Sequence, residues 1–498
     1  MKRQIKPGAQ RNAKPVNLTR RRLALALPAA GLARAARAAP PGGARANILF
    51  IVADDLDYGI FSLMPKVRRL ITESGLECRN HFISLTLCCP SRATMLRGQF
   101  GHNHGNLDNH GDYGGFAKFF HDGLESSTFA TWLHGAGYRT GMLGKYLNNY
   151  PSEDSGSNYI PPGWDTWWVG KGGTLYSQYW YTVNDNGTSR SYGGEPQDHF
   201  QNVLLRRAQQ FLRTAATDPA GKPFFLYVSP VLPHKPYVAQ PQYLDLFPGA
   251  QAPRKPNFNE ADVSDKPGWV QRLPLLDAAA IRQVDTIYRK RRQCAASLDD
   301  MVEALIRTLR STGQLANTYV IFTSDNGFFH GEHRIPDDKR RAFEENIRAP
   351  LVVRGPGIPT GRVVRQLTGN VDFAPTFAEL AGVAPPAFVD GRSLVPLFNG
   401  APPARWRQRF LLESQPPQVN SVYLSYSGLR TAARQNFVLY DSGEGEYYDL
   451  AADPFQLENR YATMSDALKG ELRTQVNALK TSAGAALRRL EEGSGGQQ

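Results

Sequence analysis

Two adjacent cysteines followed by proline, serine and arginine, Cys88-Cys89-Pro90-Ser91-Arg92, are the densest concentration of chemistry in this 498-residue chain. A thiol is a nucleophile, a metal ligand or the substrate of an oxidative modification. Adjacent cysteines make a poor framework disulfide, and none of the four cysteines belongs to a CxxC pair or to zinc-ligand spacing. Cys78 and Cys294 remain as a pair that an oxidising compartment would allow to form. A buried thiol pair before a proline turn is the plainer reading of Cys88 and Cys89, and it stands beside the chemical one.

Three further polar clusters each follow an apolar run. Asp54-Asp55 follow Asn47–Ala53, Pro233-His234-Lys235-Pro236 come after Phe224–Val228, and Ser324-Asp325-Asn326-Gly327 follow Tyr319–Thr323. Asp54, Asp55, Asp325 and Asn326 offer hard oxygen ligands and no imidazole, a set that favours Ca2+ or Mg2+ over zinc. His234 has a side chain that titrates near neutrality and is a candidate general acid. His330 and His333 are two further histidines near the second acidic cluster, with a structural role preferred. Each cluster alone is ordinary turn chemistry; three of them after three buried runs are less easily dismissed.

These clusters need a scaffold. The three apolar runs do not alternate with polar residues, which is the pattern of parallel strands buried on both faces. A helix from about Tyr288 to Leu309, apolar at spacings of three and four and stopped by Gly313, lies between the second and third. Strand–helix–strand alternation predicts an α/β fold around a mostly parallel sheet, with the clusters at its carboxyl edge, where such sheets bind ligands. Residues 150 to 200, rich in Trp, Tyr, Gly, Ser and Asn, read as a long aromatic insertion loop. A Pro-rich stretch from Pro385 to Pro403 precedes short runs at Phe410–Leu412, Val422–Leu424 and Phe437–Tyr440, which predict a small antiparallel sheet. A last amphipathic helix is expected from about Ser465 to Leu490.

The net charge of +13 suggests nucleic acid until its location is read. Residues 1–40 hold ten Lys or Arg and no acid; without them 48 of the 58 basic side chains face 45 acidic ones, so no nucleic-acid partner is needed. Thr19-Arg20-Arg21-Arg22-Leu23, the apolar run to Ala33 and Ala36-Arg37-Ala38 instead predict an export signal of the twin-arginine type, hence a periplasmic or extracellular protein. No apolar run approaches the roughly 20 residues of a membrane span, so no stable membrane insertion is expected.

Cys88-Cys89-Pro90-Ser91-Arg92, continuing Ala93-Thr94-Met95-Leu96-Arg97-Gly98, resembles the sulfatase consensus at every fixed position. Gly137 to Leu147, ending in Gly144-Lys145-Tyr146-Leu147, resembles a second sulfatase segment. Many members carry histidine where this chain has Leu147, whereas the glucosamine-6-sulfatase group reads Gly-Lys-Tyr-Leu-Asn, as here with Asn148. Thr323 to Gly327, Asp338-Lys339-Arg340, Arg348 to Leu351 and Tyr448-Asp449-Leu450 with Asp453-Pro454 are similar to further family segments. The resemblance runs in order from about residue 46 to 460.

The resemblance implies an alkaline-phosphatase-like fold: a large mixed, mostly parallel sheet flanked by helices, with a smaller C-terminal antiparallel-sheet subdomain. It places a catalytic domain over about 45–395 and the subdomain over 404–498. It implies that Cys88 is oxidised to formylglycine (3-oxoalanine) by a formylglycine-generating enzyme, and that the aldehyde hydrates to a geminal diol. One diol oxygen would attack sulfur and expel the alcohol; loss of the second hydroxyl's proton would then release sulfate and restore the aldehyde. Asp54, Asp55, Asp325 and Asn326, together with modified Cys88, would hold Ca2+, with Mg2+ as an alternative. Arg92, Lys145 and Lys339 would surround sulfate with positive charge, Arg92 alternatively positioning the modified loop, and His234 would protonate the leaving alcohol. The implied substrate is a sulfate ester, with a sulfated glycan or an aryl sulfate in view. Formylglycine-dependent hydrolysis of phosphonate monoesters or phosphodiesters, a non-catalytic carbohydrate-binding relative, and a cysteine hydrolase using Cys88 or Cys89 with His234 are the competing readings.

Overall fold

The structure, a computed structural model, describes residues 45–414 and 424–493. The leader therefore lies outside the described residues, as do Val422 and Tyr423 of one expected strand. In chain order the strands are β1 (Asn47–Ala53), β2 (Leu76–Cys78), β3 (His81–Phe82), β4 (Arg139–Gly144), β5 (Thr166–Gly170), β6 (Thr182–Asp185), β7 (Thr188–Ser191), β8 (Phe224–Ser229), β9 (Thr318–Ser324), β10 (Leu351–Arg354), β11 (Arg362–Val364) and β12 (Thr368–Gly369). A second group follows: β13 (Arg409–Ser414), β14 (Tyr426–Thr431), β15 (Gln435–Tyr440) and β16 (Gly445–Asp449).

Ten strands form one sheet in the order β11-β2-β10-β9-β1-β8-β4-β5-β6-β7. The central five, β9 to β5, are parallel, while β10, β6 and β7 pair antiparallel with their neighbours. The three apolar runs are β1, β8 and β9, and every residue in them is buried. Their lack of alternation has a direct cause. Leu49, Ile51 and Ala53 face one apolar layer and Ile48, Phe50 and Val52 the other, so both faces are covered. The first layer includes the helices Phe200–Ala216 and Ala278–Ser311; the second includes Cys88–Arg97 and Phe373–Leu380.

Register brings the polar clusters together. Ala53 pairs with Ser324, so Asp54 and Asp325 leave adjacent strands at one level; Gly144 pairs with Ser229, which sets Lys145 at the same edge. Gly144 has φ +112°, and a Cβ there would lie 2.1 Å from the Ser229 carbonyl oxygen. Glycine before Lys145 is thus required by close backbone approach.

Several expectations change. Residues 150–200 are not simply an insertion loop, because β5, β6 and β7 extend the sheet by three strands. Trp167 and Trp168 are buried in opposite layers, so what reads as an aromatic cluster is a strand packed on both faces. The long helix starts at Ala278 rather than near Tyr288, capped by the Asp277 carboxylate accepting from the Ala280 N–H. Its first six residues, Ala278 to Gln283, are exposed or half-buried, and the buried stripe begins only at Val284. The final helix is two, Asp466–Lys480 and Gly484–Glu492. It breaks where Gly484, at φ +56°, donates its N–H to Asp390 at 2.6 Å.

The sheet β13-β14-β15-β16 is antiparallel throughout, and the Phe410–Leu412 and Phe437–Tyr440 runs lie in β13 and β15. All four cysteines are free. Cys78 and Cys294 belong to opposite layers of the large sheet, which keeps them from pairing. Among the described residues, no helix is long and apolar enough to cross a membrane.

Candidate active site

Cys88 is the first residue of the buried Cys88–Arg97 helix, preceded by Leu87 in extended conformation. Its thiol sits at the carboxyl edge of the parallel strands, 3.7 Å from Asp54 Oδ1 and 2.8 Å from Lys339 Nζ. Lys339 also reaches Asp55 Oδ1 at 2.5 Å, and Lys145 Nζ lies 2.7 Å from Asp54 Oδ2 and 3.9 Å from Asp325 Oδ2. Asn326 donates its amide to Asp55 Oδ1 at 2.8 Å. Eight expected residues, Asp54, Asp55, Cys88, Arg92, Lys145, Asp325, Asn326 and Lys339, thus share one buried cluster, and His234 completes it at 3.7 Å from Asp55 Oδ2.

The carboxylates of Asp54, Asp55 and Asp325 lie within 4.8 Å of one another. Burial opposes the charge on each. Lys145, His234 and Arg92 outweigh it at Asp54, and Lys339, His234 and Lys145 outweigh it at Asp55, so both stay below the ordinary carboxylate range. Asp325 goes the other way, raised by burial and by Asp54 beside it. A divalent cation among them would relieve that crowding. The donor set is all oxygen, and the buried Asn326 Oδ1 has no hydrogen-bond partner, so these four side chains fit a hard cation such as Ca2+ or Mg2+.

Arg92 is anchored more than it is available. Its Nε and Nη2 reach Asp325 Oδ2 at 3.0 and 2.8 Å, and Nη1 donates to Ser229 Oγ at 2.6 Å. The guanidinium therefore ties the Cys88 helix to the ends of β9 and β8. His234 Nδ1 donates to the Lys235 carbonyl at 2.6 Å, leaving Nε2 as the nitrogen that faces the cluster. Burial lowers the pKa of His234, against the pull of Asp54 and Asp55. Burial likewise pushes the Cys88 thiol up, against Lys145 and Lys339. A thiol held protonated lacks the thiolate that a cysteine hydrolase needs.

His330 and His333 lie outside this cluster. His330 Nε2 lies 3.0 Å from Asp57 Oδ2, and His333 Nδ1 lies 2.7 Å from Glu260 while its ring stacks on Phe343. Cys89 points to Asn106 and Leu147 packs in the apolar layer. A separate cavity of about 490 Å³, bordered by Asp57, Lys255, His330, Arg430 and Arg434, contains none of the nine cluster residues.

Sequence reasoning missed three participants. Ser229, which fixes Arg92, is the last residue of β8, one beyond the run read as strand. Arg291 anchors the Asp55 carbonyl at 2.5 Å and Asp57 at 3.0 Å; its place on the exit face of a long helix gave no signal. Tyr176 stacks on His234 with centroids 4.5 Å apart and planes at 30°, and Lys145 Nζ lies 5.3 Å from its ring centroid. Nothing distinguishes Tyr176 among the tyrosines of its region until the chain folds.

Comparison with known proteins places the chain in a family. The sulfatase family model matches residues 46–383, and the model described as N-sulphoglucosamine sulphohydrolase, C-terminal, matches 331–482. The chain is 32% identical to the N-acetylglucosamine-6-sulfatase of Homo sapiens over 97% of its length and 93% of the relative's. It is 32% identical to the arylsulfatase of Volvox carteri over 87% of its length and 74% of the relative's. A solved structure in complex with its substrate D-glucosamine-2-N,6-O-disulfate superposes with a TM-score of 0.73 at 25% identity, covering 88% of this chain and 98% of that one. The mixed ten-stranded sheet with its four-stranded C-terminal companion is the alkaline-phosphatase-like sulfatase fold. The chain belongs to the sulfatase family and is a sulfuric ester hydrolase of the N-acetylglucosamine-6-sulfatase and arylsulfatase group.

Proposed function

We propose that this sulfatase removes sulfate from a sulfated sugar of the N-acetylglucosamine-6-sulfate type, and accepts small aryl sulfates, through a formylglycine made from Cys88. The carrying observation is the position of Cys88 Sγ, in contact with Lys339 and beside Asp54. An oxygen nucleophile built on that carbon stands between a fixed cation and the oxygen-ligand cluster. Formylglycine would supply a hydrated aldehyde there, and Ca2+ held by Asp54, Asp55, Asp325 and Asn326 would supply Lewis-acid charge stabilisation.

The chain's own residues do the rest. Three carboxylates face three cations, Arg92, Lys145 and Lys339, so a bound divalent ion makes the site net positive and matched to an anionic ester. Lys145 and Lys339 are held by Asp54 and Asp55 in the cluster around residue 88, where sulfate oxygens would lie. Arg92 acts mainly by position, locking the Cys88 helix to Asp325 and Ser229. With Nδ1 committed to the Lys235 carbonyl, His234 Nε2 is the nitrogen that faces the departing alcohol, and it would give up a proton from the doubly protonated ring.

The glycan assignment draws on the similarity to N-acetylglucosamine-6-sulfatases and on the substrate named for the superposed structure. A phosphonate monoester hydrolase of Agrobacterium radiobacter shares the fold at 21% identity and a TM-score of 0.68, so phosphorus esters belong in the test. Protein co-expressed with a formylglycine-generating enzyme should show the Cys88 peptide as the aldehyde and its hydrate by intact mass. It should turn over a 6-sulfated N-acetylglucosamine and 4-nitrocatechol sulfate faster than a phosphonate monoester. Preference for the phosphorus ester, or an unmodified thiol in active enzyme, would overturn the reading. The leader supports export by the twin-arginine route, which replacing Arg20 and Arg21 by lysine should block.

A further inference from the structure

Trp180 is 77% exposed, the highest value among the exposed large apolar side chains of the described residues. Its backbone is also held at φ +55°, a region that bulky L-residues avoid. Both features cost stability, and the surrounding chain enforces rather than relieves them. The Trp180 N–H donates to the Gly193 carbonyl at 3.0 Å, and the Tyr192 N–H donates to the Tyr181 carbonyl at 2.9 Å, continuing the β6–β7 pairing outward. The buried Tyr181 stacks on Tyr192 beneath, with centroids 4.9 Å apart. The indole lies over Gly194, where a Cβ would come within 2.7 Å of Cζ2. The ring therefore packs against the Gly194 backbone while most of it faces solvent. Strained backbone of this kind clusters at ligand-binding sites.

The position of this ring narrows what it meets. Tyr176, four residues earlier, stacks on His234. Gly170 pairs with Val183 and Gly144 with Val169, so Trp180, just before β6, lies at the same carboxyl edge of the sheet as Lys145. What the structure sets against it is small: its N–H meets Gly193 and its ring meets Gly194. A stable protein interface needs about 800 Å² from each partner, and one tryptophan in such surroundings supplies at most about 250 Å². A flat, exposed aromatic ring at the carboxyl edge of the sheet instead fits the apolar C–H face of a pyranose.

We propose that Trp180 is the stacking platform of a second sugar subsite, holding the ring next to the sulfated one in an oligosaccharide. The proposal rests on the glycan reading above and extends it from a single sugar to a chain. Trp180→Ala should raise KM for a 6-sulfated N-acetylglucosamine tetrasaccharide about tenfold, with kcat little changed, the scale of one lost aromatic contact. KM for the 6-sulfated monosaccharide and for 4-nitrocatechol sulfate should not move, which also shows that the variant folds. Trp180→Phe, which keeps a flat face, should recover most of the loss. A tetrasaccharide KM within about twofold of wild type would overturn the platform.

A binding arm separates this idea from the substrate assignment. The affinity of the Cys88→Ala chain for the same tetrasaccharide should fall about tenfold when Trp180→Ala is added. If that loss appears while the wild type turns over no sulfated sugar, the platform stands and the substrate assignment falls. If affinity ignores Trp180, the platform falls whatever the turnover.

Discussion

Lys339 Nζ lies 2.8 Å from Cys88 Sγ although 251 residues separate the two in the chain. The same ammonium holds Asp55, and burial that would discharge it is outweighed by the carboxylates of Asp55, Asp54 and Asp325, which keep its pKa above the ordinary lysine value. Lys339 is therefore a permanent cation beside the reacting carbon. Lys339→Met should lower kcat/KM for aryl sulfates by roughly a hundred- to a thousandfold, the scale of one lost charge-stabilising donor. Cys88→Ala should abolish turnover with the circular dichroism spectrum intact. An active Cys88→Ala enzyme would sink the mechanism.

The oxygen cluster makes a prediction that needs no substrate. If Asp54, Asp55, Asp325 and Asn326 hold Ca2+, an arrangement only the folded chain assembles, the ion should add about 2.7 kcal/mol of stability at a hundred times Kd and raise the melting temperature. Asp55→Ala should remove the Ca2+-dependent shift. A calcium response that survives this substitution would place the ion elsewhere.

Tyr176 packs against both His234 and Lys145, so it should position the acid rather than react. Tyr176→Phe keeps the ring and should stay within about threefold of wild type, whereas Tyr176→Ala should lose about tenfold or more in kcat, as stacking contacts of this size allow. The loss should be larger for sugar sulfates, whose alkoxide leaving groups need a proton, than for 4-nitrocatechol sulfate. Equal losses on both would mean that Tyr176 serves only the fold.

A pH effect is expected far from the chemistry. His102 Nδ1 lies 2.9 Å from Glu413 on β13, and Nε2 lies 3.0 Å from the Ser482 carbonyl between the two last helices. Burial lowers the His102 pKa, but Glu413 and the Ser482 carbonyl outweigh it and raise it from 6.5 to about 9. A raised folded-state value stabilises the fold fully below the unfolded value of 6.5, and the contribution disappears as pH rises through about 9. The gain at low pH is on the order of 3 kcal/mol. Urea unfolding of wild type and His102→Gln should therefore differ at pH 6 and converge near pH 10. A constant difference across that range would contradict the assignment.

Much of this enzyme is legible in its sequence for local reasons. Continuous apolar runs mean strands covered on both faces, and β1, β8 and β9 lie where those runs place them. Hard-ligand residues directly after such strands mean a site at the sheet's carboxyl edge, and the Cys88 motif together with the segments around Lys145 and Lys339 names its chemistry. Strand β5 was hidden because its adjacent tryptophans carry no alternation, β6 and β7 because they are short and mostly polar, and the early turns of the Ala278–Ser311 helix because they meet solvent.

Other features were decided only by folding. That Ala53 stands level with Ser324, and Gly144 with Ser229, is a matter of strand register, and register alone sets Asp54, Asp325 and Lys145 within reach of one another. The separation of Cys78 from Cys294 depends on which face of the sheet each meets. Tyr176 over His234 and Trp180 over Gly194 depend on how one excursion folds back along the sheet edge. Residue type and spacing report what a side chain is able to do; which partner it meets is fixed by contacts between distant segments, and those exist only in the folded chain.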